Sequence, residues 1–373
     1  GLQLRPSEDS WNLLLETDGQ VATTSRASQS GVTVHTTGQN QFEAQTPIQI
    51  RPDGVLIGDS RVAVRGGNQI RGIDTRFDGW PLLGPLVRSI VESRATASQP
   101  IAQGIANRRV GVEVTSQLES QLTRQTDAAT QRFDEIVLGP LGRLNLNPRV
   151  IDLETTDQRL IARYRVAGDW QLAAHTPRPR ALSDSWMSLQ VHQSAINNTL
   201  EQLLPRGDTK TFQQLFDETL DLFGQPREPL PDDVPADAAI QFATTRPITV
   251  EMEDDTLWLT FRVVELSQPG SRKLTKFIVR AAYKPVADGL QAHLIRDGHL
   301  RISGPGMSMR ERLPVRAIFN KVLAEDRPLP LTADVMHQHP ALDGLAVTQL
   351  EIRDGWLALA IGPSVQPRVA RRP

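Results

Sequence analysis

Strict alternation of apolar and polar positions dominates the chain up to Asp78, where Val32 and Val34, Ile48 and Ile50, and Val62 and Val64 each fall on one face of an extended segment. Between the runs stand Arg51-Pro52-Asp53-Gly54 and Arg65-Gly66-Gly67-Asn68. Both read as hairpin turns, because Asp-Gly and Gly-Gly accept positive φ at little steric cost. From Pro81 the period changes to that of a helix, through Leu82, Leu83, Leu86, Val87, Ile90 and Val91. After an expected break near Pro100 a second stripe runs Val114, Leu118, Leu122, Ala129, Phe133 and Val137. It predicts a long amphipathic helix that stops at Gly139-Pro140.

Strands are expected again at 149–154 and 159–166. The proline-spaced stretch Thr176-Pro177-Arg178-Pro179-Arg180 follows, stiff enough to serve as a junction. The reading is therefore an α+β protein of two domains, 1–178 and 179–373, in which long curved antiparallel meanders pack around amphipathic helices. In the second half a strand over Met187 to His192 leads into a helix that starts near Ser194 and carries Ile196, Leu200, Leu203 and Leu204. Another helix carries Phe212, Leu215, Phe216, Leu220 and Phe223, and the proline-rich loop from Pro226 to Pro235 follows it. Leu257, Leu259, Phe261 and Val263 then alternate along the clearest strand. A last helix, opened by Pro314, carries Val315, Ile318, Phe319, Val322 and Leu323 and ends before Pro328. The segment from Ile295 to Leu300, Ile-Arg-Asp-Gly-His-Leu, returns as Ile352 to Leu357, Ile-Arg-Asp-Gly-Trp-Leu, and both copies predict Asp-Gly hairpin turns.

Composition removes whole classes of function. With 373 residues the chain exceeds the usual size of one hydrophobic core, which agrees with two domains. The absence of cysteine excludes disulfides, thiolate nucleophiles and cysteine-held metals, and leaves the redox compartment open. A formal charge of −2, with acidic and basic residues interspersed, offers no phosphate-binding face, so nucleic acid is not an expected partner. Lysine is scarce, only Lys210, Lys273, Lys276, Lys284 and Lys321, and arginine supplies the other basic groups. No window has the apolar length of a membrane span. The numbering begins at Gly1, so an upstream targeting segment and an exported or periplasmic location, with peripheral association to a cell envelope, are expectations; oligomeric state is left open.

Candidate chemistry has a structural reading in each case. His337 and His339 would share one strand face, as a metal site requires, but the one nearby carboxylate, Asp334, is off that period. Glu251, Glu253, Asp254 and Asp255 resemble a calcium or acid pair, yet they lack the spacing of a calcium loop and fit the solvent face of a strand entering an Asp-Asp turn. Gly66, Gly67 and Gly72 are followed by no Gly-Lys-Ser/Thr, so they do not make a phosphate loop. No Gly-x-Ser-x-Gly elbow or His-Glu-x-x-His helix occurs. No catalytic residue, metal or cofactor is assigned, and the chain reads as a binding protein rather than an enzyme.

The strand-into-helix segment from Met187 to Leu200 and the closing hairpin from Leu350 to Leu359 resemble segments of exported bacterial proteins of the tubular lipid-binding (TULIP-like) superfamily. There a curved antiparallel sheet wraps lengthwise around a long helix and encloses an apolar tunnel. The second half departs from that pattern in having three shorter helices. The resemblance implies a lipid or other apolar small molecule held between helix and sheet, with Val114, Leu118, Leu122, Phe133, Ile196 and Leu200 as the candidate lining. Two other functions fit the same pattern: a structural or assembly protein of the cell envelope, whose edge strands pair between copies, and a hydrolase with an unrecognised acid pair.

Overall fold

The computed structural model describes residues 1–29, 32–75, 83–146, 148–204, 207–270, 272–333, 336 and 339–364. Asp334 and His337 of the expected metal pair lie outside the described residues, as do Pro81 and Leu82. The protein is α+β with antiparallel sheets, and it divides into two compact units. The first comprises Gly1–Phe133 and Val150–Tyr164, the second Asp134–Arg149 and Arg165–Pro373. The chain thus changes unit at three points, and the proline-spaced stretch from Thr176 to Arg180 lies inside the second.

In the first unit β1 (Leu2–Arg5), β2 (Trp11–Gln29), β3 (Val32–Arg51), β4 (Gly54–Ile57) and β5 (Arg61–Thr75) form one sheet, with β4 and β5 both paired to β3. Alternation sets its faces: Ala44 is opposite Thr17 and Val62, and Phe42 opposite Gly19 and Val64. The Phe42 ring covers Gly19, where an added Cβ would lie 2.6 Å from it. The turn at Pro52-Asp53 forms between β3 and β4 as expected. The expected turn at Gly66-Gly67 does not: both glycines sit inside β5, opposite Asn40 and Gln39. Gly66 is required by close packing, since a Cβ there would lie 2.6 Å from Asn40 Cα.

Helix α1 (Leu83–Phe133) is 51 residues long and continues through Pro100, where a break was expected. Loss of one N–H costs a local hydrogen bond, but the long helical segments on either side propagate cooperatively. Nor does Gly139-Pro140 stop the helical path. The ladder widens into a π turn over Asp134–Leu138 and resumes as α2 (Gly139–Arg143), so the ladder bond that Pro140 cannot donate is missing directly after the π turn. A two-stranded hairpin follows, β6 (Arg149–Thr155) with β7 (Leu160–Arg165). Thr155 fastens β6 to the start of β2 by accepting from Asn12 N–H at 2.9 Å.

The core of the second unit lies between a seven-stranded sheet and three helices. The sheet contains β9 (Thr209–Thr211), β10 (Ala239–Phe242), β11 (Ile248–Glu253), β12 (Thr256–Ser267), β13 (Leu274–Asp288), β14 (Gln291–Ser303) and β15 (Leu329–Pro330). A second sheet joins β8 (Met187–His192), β17 (Trp356–Pro363) and β16 (Leu345–Arg353). Val263, Phe277, Val279 and Tyr283 from the large sheet are buried with Val315 and Phe319 of α5 (Met309–Val322). Helix α3 (Gln193–Leu203) protects the free edge of β11. Asn197 bonds both ways with the Val250 backbone, at 2.7 and 2.8 Å, and Gln193 accepts from Met252 N–H. Helix α4 (Phe212–Leu222) starts under a capping box formed by Thr211 and Gln214.

Two local expectations are corrected. Helix α5 begins at Met309, so Pro314 is inside it, and Ser308 with Glu311 marks its start. Asp297-Gly298 is no hairpin turn but a bulge within β14, between the pairs Arg280 with Arg301 and Ala282 with Asp297. Its counterpart Asp354-Gly355 does turn the chain between β16 and β17, with φ of 51° and 86°.

Candidate functional site

A cleft of about 680 Å³ in the first unit opens between α1 and β5. Three tethers set the helix against the strand. Gln103 donates its side-chain amide to the Gly66 carbonyl, Gly111 faces Val64, and Glu119 accepts from Ser60 N–H at 3.3 Å. Helix numbers rise as strand numbers fall, so α1 runs antiparallel to β5. The lengths match: ~24 Å of helix from Gln103 to Glu119 covers ~20 Å of strand from Gly66 to Ser60.

Period 2 turns Val62 and Val64 toward the helix, where they form the apolar floor of the cleft. Val112 and Thr115 contribute the helix wall, and Gly111 adds no side chain to fill it. Polar groups interrupt this surface. Asn107 presents a buried Oδ1 with no hydrogen-bond partner among the described residues, while Arg108 and Glu119 bring opposite charges to the rim. From Val112 in the cleft wall the helix carries exposed apolar side chains beyond the cleft: Ile101 is 70% exposed, Ile105 65% and Val112 itself 66%. At 100° per residue these three fall within roughly 40° of one another, a stripe with no cover among the described residues.

The candidate lining residues are distributed differently. Val114 is 7% exposed and packed, and Leu118 and Leu122 are half-buried along the same ridge, so this stripe joins helix to sheet. None of the three is among the residues that line the cleft. Phe133 is 41% exposed at the end of α1, its ring 6.3 Å from Tyr164. Ile196 and Leu200 belong to the second unit, where they pack against its core. Sequence reading named Val62 and Val64 as strand positions but passed over Ile101, Ile105 and Val112, whose i, i+4, i+11 spacing carries the signal.

The alternative chemistry has structural partners. Glu251 accepts from Arg280 at 2.6 Å, and that guanidinium stacks on Trp258 with its carbon 4.4 Å from the ring centroid. Asp254 and Asp255 make the β11–β12 turn, with φ of 49° and 55°. His339 Nδ1 accepts from Ala341 N–H and caps a short 3₁₀ turn. Among the described residues no group of three or more His, Asp or Glu is placed to hold a metal, and no helix is long and apolar enough to cross a membrane.

Among the described residues His192 is the one strongly buried histidine, and the sequence reading did not single it out. It is 4% exposed at the start of α3, stacked edge-on against Trp356 and His175 with centroids 5.0 and 5.5 Å away. Its Nδ1 accepts from Ser194 N–H at 3.1 Å and so caps the helix. Burial first, and the neighbouring His175 second, hold its pKa below the ordinary imidazole range.

No protein-family model matches the chain, and no curated protein matches it. Among solved structures, one described as a crystal structure of lipopolysaccharide binding protein aligns with 97% of this chain and 86% of that one, at 10% identity and a TM-score of 0.26.

Proposed function

We propose that the chain binds a lipid or another apolar small molecule along the face between α1 and β5, by surface complementarity and without catalysis. The observation that carries this reading is the cleft floored by Val62 and Val64, continued by the exposed stripe of Ile101, Ile105 and Val112. Each buried methylene would contribute about 0.8 kcal/mol, so a single acyl chain supplies useful affinity without a special polar constellation. A long helix laid along an antiparallel sheet also fits the tubular lipid-binding pattern. A location outside the cytoplasm, peripheral to an envelope, belongs to the same proposal. Denaturing extraction of natively purified protein, followed by lipid mass spectrometry, tests it. A near-stoichiometric amphiphile supports the proposal; a ligand-free protein that also takes up no added lipid contradicts it.

One observation favours a second reading, assembly through sheet edges. Among the described residues strand β8 pairs on one side only, with β17, and it exposes Met187 and Leu189. Native mass spectrometry decides this: discrete oligomers that dissociate on Leu189→Lys support it, and a strictly monomeric protein excludes it.

A further inference from the structure

A second cleft, of about 420 Å³, lies in the second unit beneath the β12–β13 connection and beside the start of α5. Its floor is apolar and well covered: Leu266, Leu274 and Ile318 are all buried, and Pro314 adds an aliphatic wall. Its mouth is cationic, with Arg272 on the connection and Arg310 on the helix. The helix N-terminus contributes little here, because Glu311 already accepts from the Ser308 backbone N–H and hydroxyl, each at 2.9 Å. The arginines are not consumed in the same way. Arg272 has an 85% exposed side chain and reaches Glu311 only at 3.9 Å, the geometry of a surface ion pair worth little. Arg310 has no hydrogen-bond or ion-pair partner among the described residues.

We infer that this cleft is a binding site for a single-chain amphipathic anion, a carboxylate or phosphate head between Arg272 and Arg310 with its alkyl chain on Leu266, Leu274 and Ile318. Two guanidinium forks match the planar or tetrahedral oxygens of such a head, and each can donate two parallel N–H bonds. A purely inorganic anion would leave the space between the mouth and the apolar floor unfilled, and a neutral alkyl chain would leave the cationic mouth unmatched. Glu311 sits at the same mouth and repels the anion, so it limits affinity.

The test is calorimetric titration of the full chain with octyl phosphate, 1-octanol and inorganic phosphate, and with Arg272→Gln/Arg310→Gln and Glu311→Gln variants. All three side chains stand at the mouth of the cleft rather than in the core, and the amide oxygen introduced by Glu311→Gln still accepts from Ser308. Folding is therefore retained, and thermal melting checks it. Octyl phosphate should bind saturably and at least tenfold more tightly than octanol or phosphate. The double arginine variant should lose at least tenfold, and Glu311→Gln should gain several-fold. A parallel arm with phosphatidylglycerol vesicles separates the sources of the head. Arginine-dependent vesicle binding assigns a membrane lipid, and its absence, with octyl phosphate still bound, assigns a soluble amphiphile. Equal affinity for octyl phosphate and octanol, or affinity untouched by both variants, overturns the inference.

Discussion

The side-chain amide of Gln103 donates to the backbone carbonyl of Gly66, and this bond fastens the middle of a 51-residue helix to the strand beneath it. It falls where an inward-facing glycine lets β3 approach β5, so backbone geometry and helix position are set at one point.

That point can be tested by a pair of substitutions. Gly66→Ala should destabilise the first unit by about 1–3 kcal/mol, because the new methyl meets the β3 backbone 2.6 Å away. At Gly67 an added Cβ would have only Gln103 Nε2 nearby, 3.9 Å off at ordinary contact distance, so Gly67→Ala should change stability by less than about 0.5 kcal/mol. Denaturant midpoints of the two variants measure the difference. Equal effects would mean that the glycines form a turn after all.

His192 predicts a pH dependence of definite sign. Its Nδ1 must be unprotonated to accept from Ser194 N–H, and burial lowers its pKa in the fold. The unfolded chain therefore binds the proton more readily, and stability rises with pH. Stability of the second unit should be level above the ordinary value of 6.5 and fall as pH drops below it, until the lowered folded pKa is passed. His192→Asn keeps a capping oxygen and should flatten this limb in melts between about pH 7.5 and 5. An unchanged limb would assign it to other groups.

The core of the second unit predicts one large effect. Phe319 is 1% exposed, with Phe261 and Phe277 rings edge-on at 5.5 and 6.4 Å. Phe319→Ala should cost about 3–5 kcal/mol, read from chemical denaturation. A cost below about 1 kcal/mol would show that α5 is not seated on the sheet.

Much of this fold is legible because period 2 and period 3.6 are written plainly in strands such as Leu257 to Val263 and in the ridge Val114, Leu118, Leu122. The errors share a cause. Gly66-Gly67, Asp297-Gly298, Pro100 and Gly139-Pro140 each suggest their commonest local meaning, and each is overruled by packing along a long element: a close strand approach, a bulge, a proline carried inside a helix, a π turn. The candidate site is half legible for the same reason. The strongest apolar ridge of α1 is the one that packs, and therefore the one least available to a ligand. The weaker stripe beside it, Ile101, Ile105 and Val112, has no cover among the described residues, and only the placement of β5 distinguishes the two ridges.

The most direct test of the ligand-binding account uses those exposed positions, because charge placed there should leave the fold intact. Binding of a fluorescent fatty acid should be measured in an Arg272→Gln/Arg310→Gln background, which silences the second cleft, with and without Ile101→Glu/Val112→Glu, alongside a Leu172→Glu control at an 86% exposed position of the second unit. The account predicts at least a tenfold loss for the α1 variant, about 1.4 kcal/mol or more, with the control and both melting curves unchanged. Undiminished binding by the α1 variant would contradict it.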